Sequence, residues 1–506
     1  MLHRLFRTLA AVTLLAAPSL ATWSIVVVNT RTGEVCVASA TCISGFDLKP
    51  NLALIRVGVG GAAAQSVVDQ GAVNRMRIWQ AMTEGRSPEE ILSLLAPQDT
   101  QHQRRQYGLS MLRHQPTSFT GTQAGNAKLN LHGIDGDLRW AVQGNLLTGQ
   151  VVVTAARDAL LATPGDLSQK VLAAMDAARS YGGDGRCSCG PLSPTACGAP
   201  PASFQFSAAT AFLVLARMGD TDGVCNANQG CANGNYFLDI RAISGPPAGP
   251  DPIVQLRTVY NTWRAGKGAT ADHLLTRVTQ SAPIVPADGA AETSISLQLV
   301  NIDGTDLIYS PATLEVVAEP PGIAVATVTQ VIDEGEGRHR VVLRSNGTVG
   351  TSQYGITVVH PWKRVRLWPN VRVTAEPAQA LVVGRESFSA SEGTRTPLWC
   401  DFGAAQAGAP YLVLGSASGT TPGTTVFGVQ VPLVQDTFFG SMWSQPNSAT
   451  FQQTQGLLSA NGRARAELVA APGRFTPLVG RTLTFCSVLN TASGAVSNTD
   501  TLVVAP

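Results

Sequence analysis

Thr22 is the residue around which chemistry gathers in this chain. It follows Ser19 and Ala21, small residues at the minus-three and minus-one positions of a signal-peptidase site, and Pro18 breaks the apolar run 9–17 ahead of them. His3, Arg4 and Arg7 give that leader a basic start. Its apolar core is shorter than the ~20 residues a membrane-spanning helix needs. Cleavage after Ala21 leaves Thr22 first, with a hydroxyl and an α-amine on one residue, and the amine can activate the hydroxyl as a nucleophile. The competing reading is plain: some residue must follow a cleavage site, and threonine is a common one.

Other chemistry-bearing residues do not converge in the same way. The histidines at 102, 114, 132, 273, 339 and 360 are scattered, with no pair at helical ligand spacing, and no Gly-x-Ser-x-Gly elbow precedes a helix in the first half. Ser207, before Ala208 and Ala209, reads as a strand residue. Asp220, Asp222, Asn226 and Asn228 make an oxygen-rich loop without the spacing or terminal Glu of an EF-hand, so no metal is expected. Cys187, Cys189 and Cys197 lie in a Pro- and Gly-rich insertion with no His nearby, which favours disulfides over zinc. Cys225 and Cys231 bracket a second polar loop and are expected to pair, as are Cys400 and Cys486. Cys36 and Cys42 flank the second strand and either pair with each other or stay buried. Nine cysteines leave at least one without an intramolecular partner.

The elements that must position Thr22 follow from periodicity. Residues 23–28 and 35–41 are β-rich runs joined by a hairpin loop at 29–33, so two adjacent antiparallel strands are expected. Val67, Val68, Ala72, Met76, Trp79 and Met82 predict a helix over 66–84 closed by Gly85. Ser87-Pro88-Glu89-Glu90 is a helix start, with Ser as N-cap and acids in the first turn. Short strands are expected at 106–112, 118–120, 138–142 and 208–216. Helices follow Gly149, run over 166–180, and begin at Asp251-Pro252. Length (506 residues) suggests about three domains. A formal charge of +2 with mixed signs gives no electrostatic reason for a nucleic-acid or anionic-membrane partner.

Several short motifs, taken in order, carry a resemblance. They are Thr22-Trp-Ser-Ile-Val-Val-Val, Thr32-Gly-Glu, Gly58-Val-Gly with Ala64-Gln65, and Phe119-Thr-Gly. They continue with Gln143-Gly-Asn-Leu-Leu-Thr-Gly149, Gly182-Gly-Asp, Ser207-Ala-Ala and Leu238-Asp-Ile-Arg before Asp251-Pro. Over roughly 22–264 the chain resembles the bacterial domain-of-unknown-function 1028 family, which is similar to the N-terminal-nucleophile hydrolases. The resemblance implies an α+β fold with four αββα layers and a nucleophile at the start of the first strand. It places Thr22 as nucleophile, with Gly144 and Asn145 polarising a carbonyl oxygen. Against that, Gly144 could form a turn while Asn145 caps the next segment. Gln65, Asp184 and Arg186 would line the same cleft and bind substrate, or Asp184 and Arg186 form a surface ion pair. Where family members often carry Lys after the second strand, this chain has Cys42, which removes an electropositive group from the site.

Beyond Gly266 the character changes to short alternating runs with turns at Asp303-Gly304 and Asn346-Gly347, as in immunoglobulin-like sandwiches. The expected division is a signal peptide at 1–21, the N-terminal-nucleophile-hydrolase-like domain at 22–265, an immunoglobulin-like sandwich at 280–375 and a C-terminal sandwich at 395–506. Two functions compete. One is an exported amidohydrolase acting without cofactor on an unknown amide or peptide-like substrate. The other is a non-catalytic secreted or cell-surface binding or structural protein, meeting a cell-wall or matrix component. No segment of the mature chain is long and apolar enough to be a transmembrane helix.

Overall fold

The first apolar run is buried on both faces, so it belongs at the centre of a sheet, not at an edge. In the computed structural model the described residues are 22–69, 71–243, 249–320, 324–376, 380–492 and 494–506; the expected signal segment lies outside them. In chain order the first unit contains β1 (Thr22–Asn29), β2 (Glu34–Thr41), α1 (Lys49–Leu52), β3 (Ala53–Arg56), β4 (Gly60–Ser66), α2 (Val73–Thr83), α3 (Pro88–Leu95), β5 (Arg105–Met111), β6 (Thr117–Thr120), β7 (Leu129–Asp135) and β8 (Leu138–Asn145). It continues with α4 (Val151–Ala162), α5 (Leu167–Ser180), α6 (Gly185–Ser188), β9 (Thr210–Ala216), β10 (Leu238–Ile243) and α7 (Pro252–Ala265).

Two antiparallel sheets result. One runs β10-β9-β2-β1-β8-β7 and the other β3-β4-β5-β6. The expected hairpin is present: β1 pairs with β2 from Thr22 opposite Thr41 to Asn29 opposite Glu34. Alternation along β1 divides its side chains between two cores. Ile25 and Val27 pack with Val152, Leu172, Met175 and Leu256 of the helices α4, α5 and α7. Val26 and Val28 instead join Leu52, Ile55 and Ala63 between the sheets. On the far side of the second sheet, Leu54, Ala62 and Leu109 pack against Ile78, Met82, Ile91 and Leu95 of α2 and α3. Each Val, Leu, Ile or Met among these contributes on the order of 1.5–3 kcal/mol of burial.

The second unit, residues 275–300 and 306–506, is built of β-sandwiches. In the first sandwich the strands Arg277–Gln280, Glu292–Gln298, Arg338–Ser345 and Ala326–Gly335 face a five-stranded sheet centred on Gly350–Val359. In the second, Leu381–Val383, Thr394–Asp401, Arg463–Ala470 and Phe451–Gln452 form one sheet. Ser387–Ser389, Asp500–Ala505, Thr482–Leu489, Pro410–Ser416 and Gln455–Leu457 form the other. Their shared core includes Phe438 and Met442 from the helix Thr437–Ser444. The whole is thus a mixed α+β domain followed by a sheet-rich, sandwich-like region. No described helix is long and apolar enough to cross a membrane.

Several expectations change. The helix expected over 66–84 begins only at Val73, because Gln65 and Ser66 are held in a ladder opposite Gln106 and Arg105. Gln143, Gly144 and Asn145 are neither turn nor cap; they end β8, paired with β1. Cys225–Cys231 is a disulfide as expected, but Cys400 and Cys486 remain thiols. They sit on strands of opposite sheets inside the apolar core and behave as small hydrophobes. Burial pushes their thiols to about 11 and about 12 respectively, so little reactive thiolate forms. The remaining disulfides are Cys189–Cys197 and Cys42–Cys187, while Cys36 is buried and free.

Candidate functional site

One end of the space between the two sheets of the first unit is polar. On the inward-facing positions of β1, Val28 and Val26 give way to Ser24 and Thr22; on β2, Val35 and Val37 give way to Ser39 and Thr41. Strands β4, β5 and β8 bring Gln65, Gln106, Gln143 and Asn145 to the same end. All eight of these polar residues are buried. Register explains the convergence, since Thr22 lies opposite both Thr41 and Asn145, and Gln65 opposite Gln106.

The side chains interlock. The Thr22 hydroxyl donates to the Thr41 hydroxyl at 3.3 Å, and Thr22 is only 1% exposed. Its carbonyl accepts from Gln65 Nε2 at 3.0 Å, and the same nitrogen donates to Gln106 Oε1 at 2.9 Å. Gln106 Nε2 donates to the Gly144 carbonyl at 2.9 Å, and Gln143 Nε2 donates to Ser24 Oγ at 2.5 Å. Asn145 Nδ2 donates to Ser66 Oγ (3.1 Å) and to the Ala124 carbonyl (2.9 Å). Two backbone positions beside it are strained: Ser66 and Leu146, neither a glycine, sit at φ +81° and +52°. Gly144 is closely packed: a Cβ there would lie 2.8 Å from Leu147 Cδ1 and 3.1 Å from Trp23 Cβ, so Leu147 would have to move.

Asp184 and Arg186 reach this end from α6. Asp184 is fully buried and caps the short helix, accepting from the Arg186 backbone N–H. Its Oδ2 accepts from the Cys42 backbone N–H at 2.6 Å and from Arg186 Nη2 at 2.8 Å. The pair is therefore a buried carboxylate with a partly exposed guanidinium, not a surface ion pair. Burial pushes the Asp184 carboxyl above the usual carboxylate range, and Arg186 with the two backbone donors opposes that rise. Arg186 Nη2 also donates to Thr41 Oγ1 at 3.2 Å, so a positive charge touches the partner of the Thr22 hydroxyl. Cys42 is bonded to Cys187, the residue after Arg186. The preceding Gly183 must be glycine: at φ +58°, its Cβ would meet Ser207 O at 2.8 Å and Trp23 Nε1 at 3.0 Å.

Thr22, Gln65, Asn145, Asp184 and Arg186 thus belong to one cluster, while Gly144 contributes its carbonyl and its small size. Sequence reasoning passed over Thr41, Ser24 and Gln106. For Thr41 and Ser24 the signal was the switch from aliphatic to polar residues at alternate positions along β1 and β2; Gln106 shares its face with Gly108 and Ser110 and carried no such signal. Among the described residues no group of three His, Cys, Asp or Glu side chains is arranged to hold a metal.

Residues 22–192 match the model of a family described as a family of unknown function (DUF1028). A protein of Silicibacter pomeroyi described under the same family is 19% identical. That likeness covers 48% of this chain and 88% of the other, with a TM-score of 0.34. The Escherichia coli adhesin FdeC is 10% identical, with 96% of this chain and 99% of that one covered and a TM-score of 0.21. The Yersinia pseudotuberculosis adhesin InvE is 11% identical over 46% of this chain and 58% of its own, with a TM-score of 0.20. At such identities and scores neither activity nor partner follows. No curated protein matches the chain.

Proposed function

We propose that the protein is exported and works as a non-catalytic binding protein, its first domain keeping a four-layer αββα frame akin to the N-terminal-nucleophile hydrolases. The observation that carries this reading is the closure of the Thr22 end. The hydroxyl bonds Thr41, the carbonyl is held by Gln65, and Gln106 ties Gln65 to the Gly144 carbonyl. Arg186, the one cation touching that cluster among the described residues, is already committed to Asp184. Three disulfides fit an oxidising compartment outside the cytoplasm, in keeping with the leader-like residues 1–21. We divide the chain into the first domain at 22–265 and sandwiches at 280–375 and 395–506.

A second reading, hydrolysis by a mature N-terminal Thr22, is favoured by one specific observation. Gln65 Oε1 and Asn145 Oδ1 are buried beside Thr22 without a hydrogen-bond donor. Their orientation is fixed, because each amide nitrogen already donates to a backbone carbonyl. Leader removal would create an ammonium with three N–H donors at that spot. Gly144 and Asn145 would then flank the nucleophile, with Gln65, Asp184 and Arg186 toward an amide or peptide-like substrate.

The two readings separate in one experiment. The mature N-terminus is determined by mass spectrometry, and the purified chain is offered γ-glutamyl, aspartyl and N-acyl amides. The binding-protein reading expects no turnover. Turnover that Thr22→Ala abolishes and Thr22→Ser partly keeps would overturn it; a mature chain not starting at Thr22 removes the hydrolase.

A further inference from the structure

The C-terminal sandwich carries an unusual stretch: between Asp401 and Arg463 the only charged side chain is Asp436. Asp436 is occupied within the fold, accepting from Ser416 Oγ at 3.0 Å and from the backbone N–H groups of Ala417 (2.7 Å) and Phe439 (2.8 Å), the last as N-cap of the helix Thr437–Ser444. Two large aromatic rings stand out of this uncharged surface. Phe427 is 41% exposed and Trp443 is 46% exposed, with ring centroids 5.8 Å apart. Trp443 is backed by the buried, nearly parallel ring of Phe439.

Phe427 is held in the open at a conformational cost. Val426 pairs with Val429, so Phe427 and Gly428 form a two-residue hairpin turn, with φ of +50° and +79°. Asn, Asp or Gly ordinarily occupies the first of those positions, and a bulky residue there is an outlier. A turn selected only to reverse the chain would not place phenylalanine at that position.

Four residues beyond Trp443, within about 14 Å along the chain, begins an open groove of about 590 Å³. Its loop is fixed by Asn447, whose side chain donates to the Gln455 carbonyl at 2.9 Å and accepts from the Gln455 N–H at 3.0 Å. Tyr411 adds a bond to the Gln453 carbonyl at 2.8 Å. Gln453 has φ +52°, a second outlier for an ordinary residue, and the side chains of Gln453 and Gln455 are exposed. The groove's two arginines make surface pairs, Arg463 with Asp401 at 2.8 Å and Arg465 with Glu467 at 2.6 Å, and Glu467 is shared with Arg395.

We infer that this sandwich binds a neutral oligosaccharide, with sugar rings stacked on Phe427 and Trp443 and the hydroxyls of a chain long enough to reach the groove meeting the Gln453 and Gln455 amides. Aromatic faces suit the apolar faces of sugar rings. Amides both donate and accept, as hydroxyls do. The absence of charge other than Asp436 between Asp401 and Arg463 favours a neutral ligand at the two rings over an anionic membrane or polyanion. The inference deepens the binding-protein reading and rests on it for where such a glycan would be met.

The test uses the full mature chain. Affinity electrophoresis runs it through gels containing laminarin, xyloglucan or dextran, and depletion assays use microcrystalline cellulose and chitin. At least one probe should retard or deplete the wild type, and Trp443→Ala and Phe427→Asn should each weaken that binding at least tenfold. Phe427→Asn should also keep or raise the unfolding midpoint, since asparagine tolerates the left-handed turn; loss of binding then cannot be loss of folding. Failure of all five probes, or equal binding by both variants, overturns the inference. So does co-sedimentation with phosphatidylcholine vesicles that both variants abolish. Thr22-dependent amide turnover with intact glycan binding would instead sink only the non-catalytic reading.

Discussion

Replacing Cys42 and Cys187 together by alanine should be the most damaging disulfide deletion in the protein. The bond closes a loop of 145 residues, whereas Cys225–Cys231 closes one of 6. In the chain-entropy model the long loop is worth about 5 kcal/mol at 25 °C and the short one about 2 kcal/mol, so the two deletions should differ by about 3 kcal/mol. Against a domain stability of about 5–15 kcal/mol, the larger figure brings the first domain close to unfolding. The structure also assigns the bond a local task. The Cys42 N–H donates to buried Asp184, and Cys187 directly follows Arg186, whose guanidinium touches Thr41. Because a chain of several domains does not unfold in one transition, the assay is denaturant-dependent hydrogen exchange read by mass spectrometry on peptides from residues 22–41. The Cys42/Cys187 variant should lose protection there at far lower denaturant than the Cys225/Cys231 variant. Equal losses would refute the loop-length reasoning, and unchanged protection would refute any tie between this bond and the Thr22 end.

Thiol counting without reductant should find none reactive in the folded chain and three after unfolding, namely Cys36, Cys400 and Cys486; one per chain would instead restore the Cys400–Cys486 disulfide. Arg217→Met should destabilise the first domain by about 3–5 kcal/mol, seen as a lower denaturation midpoint, because it strands two buried carboxylates. Arg217 bonds Glu34 and Asp272, each at 2.8 Å, and all three side chains are at most 4% exposed. An effect below 1 kcal/mol would show that these charges are solvated. His102, stacked on Phe119 at 4.2 Å, has its pKa lowered by burial, with Asp99 opposing. The unfolded chain then binds the proton more readily, so His102 costs stability as pH falls below its ordinary 6.5. His102→Phe should flatten that acid limb in stability measured from pH 8 to 4, and an unchanged slope would count against it.

How much of this was legible depended on the kind of signal. The β1–β2 hairpin, the capping box of α3 and the Asp-Pro start of α7 are local, and each stands where side-chain chemistry puts it. The expected helix over 66–84 failed at its first turn because β4 is decided by partners far along the chain: Ala62 faces Leu109 and Gln65 faces Gln106. Propensity yields to such tertiary pairing. The Cys400–Cys486 expectation rested on placement in one module, but a disulfide also needs aligned Cβ vectors, which sequence does not carry. The insertion cysteines show the same limit, for Cys187 passes over its near neighbours and joins Cys42. At the site, Thr22 and Asn145 were visible as types, yet Thr41 and Gln106 become meaningful only once register sets them opposite Thr22 and Gln65.

The amides at that end satisfy buried acceptors and at the same time leave some of their own oxygens unpaired. Each buried acceptor without a donor costs about 1–3 kcal/mol, and Gln65 Oε1, Gln143 Oε1 and Asn145 Oδ1 are three of them. A few residues further along the same strands, Val26, Val28, Val35 and Val37 fill the equivalent layer with no such penalty. Aliphatic residues at 65, 143 and 145 would remove those acceptors but strand the Thr22 and Ala124 carbonyls, Gln106 Oε1 and the Ser24 and Ser66 hydroxyls that their amide nitrogens serve, so the polar end stands or falls as a unit. The strain at Ser66 and Leu146 borders the same unit. The buried Asp184 adds a further cost, offset by Arg186 and two backbone donors. The cluster is interlocked around Thr22, whose hydroxyl and carbonyl both take part. Removal of residues 1–21 ahead of Thr22 would supply N–H donors beside Gln65 Oε1 and Asn145 Oδ1 and so lower the cost of burying them.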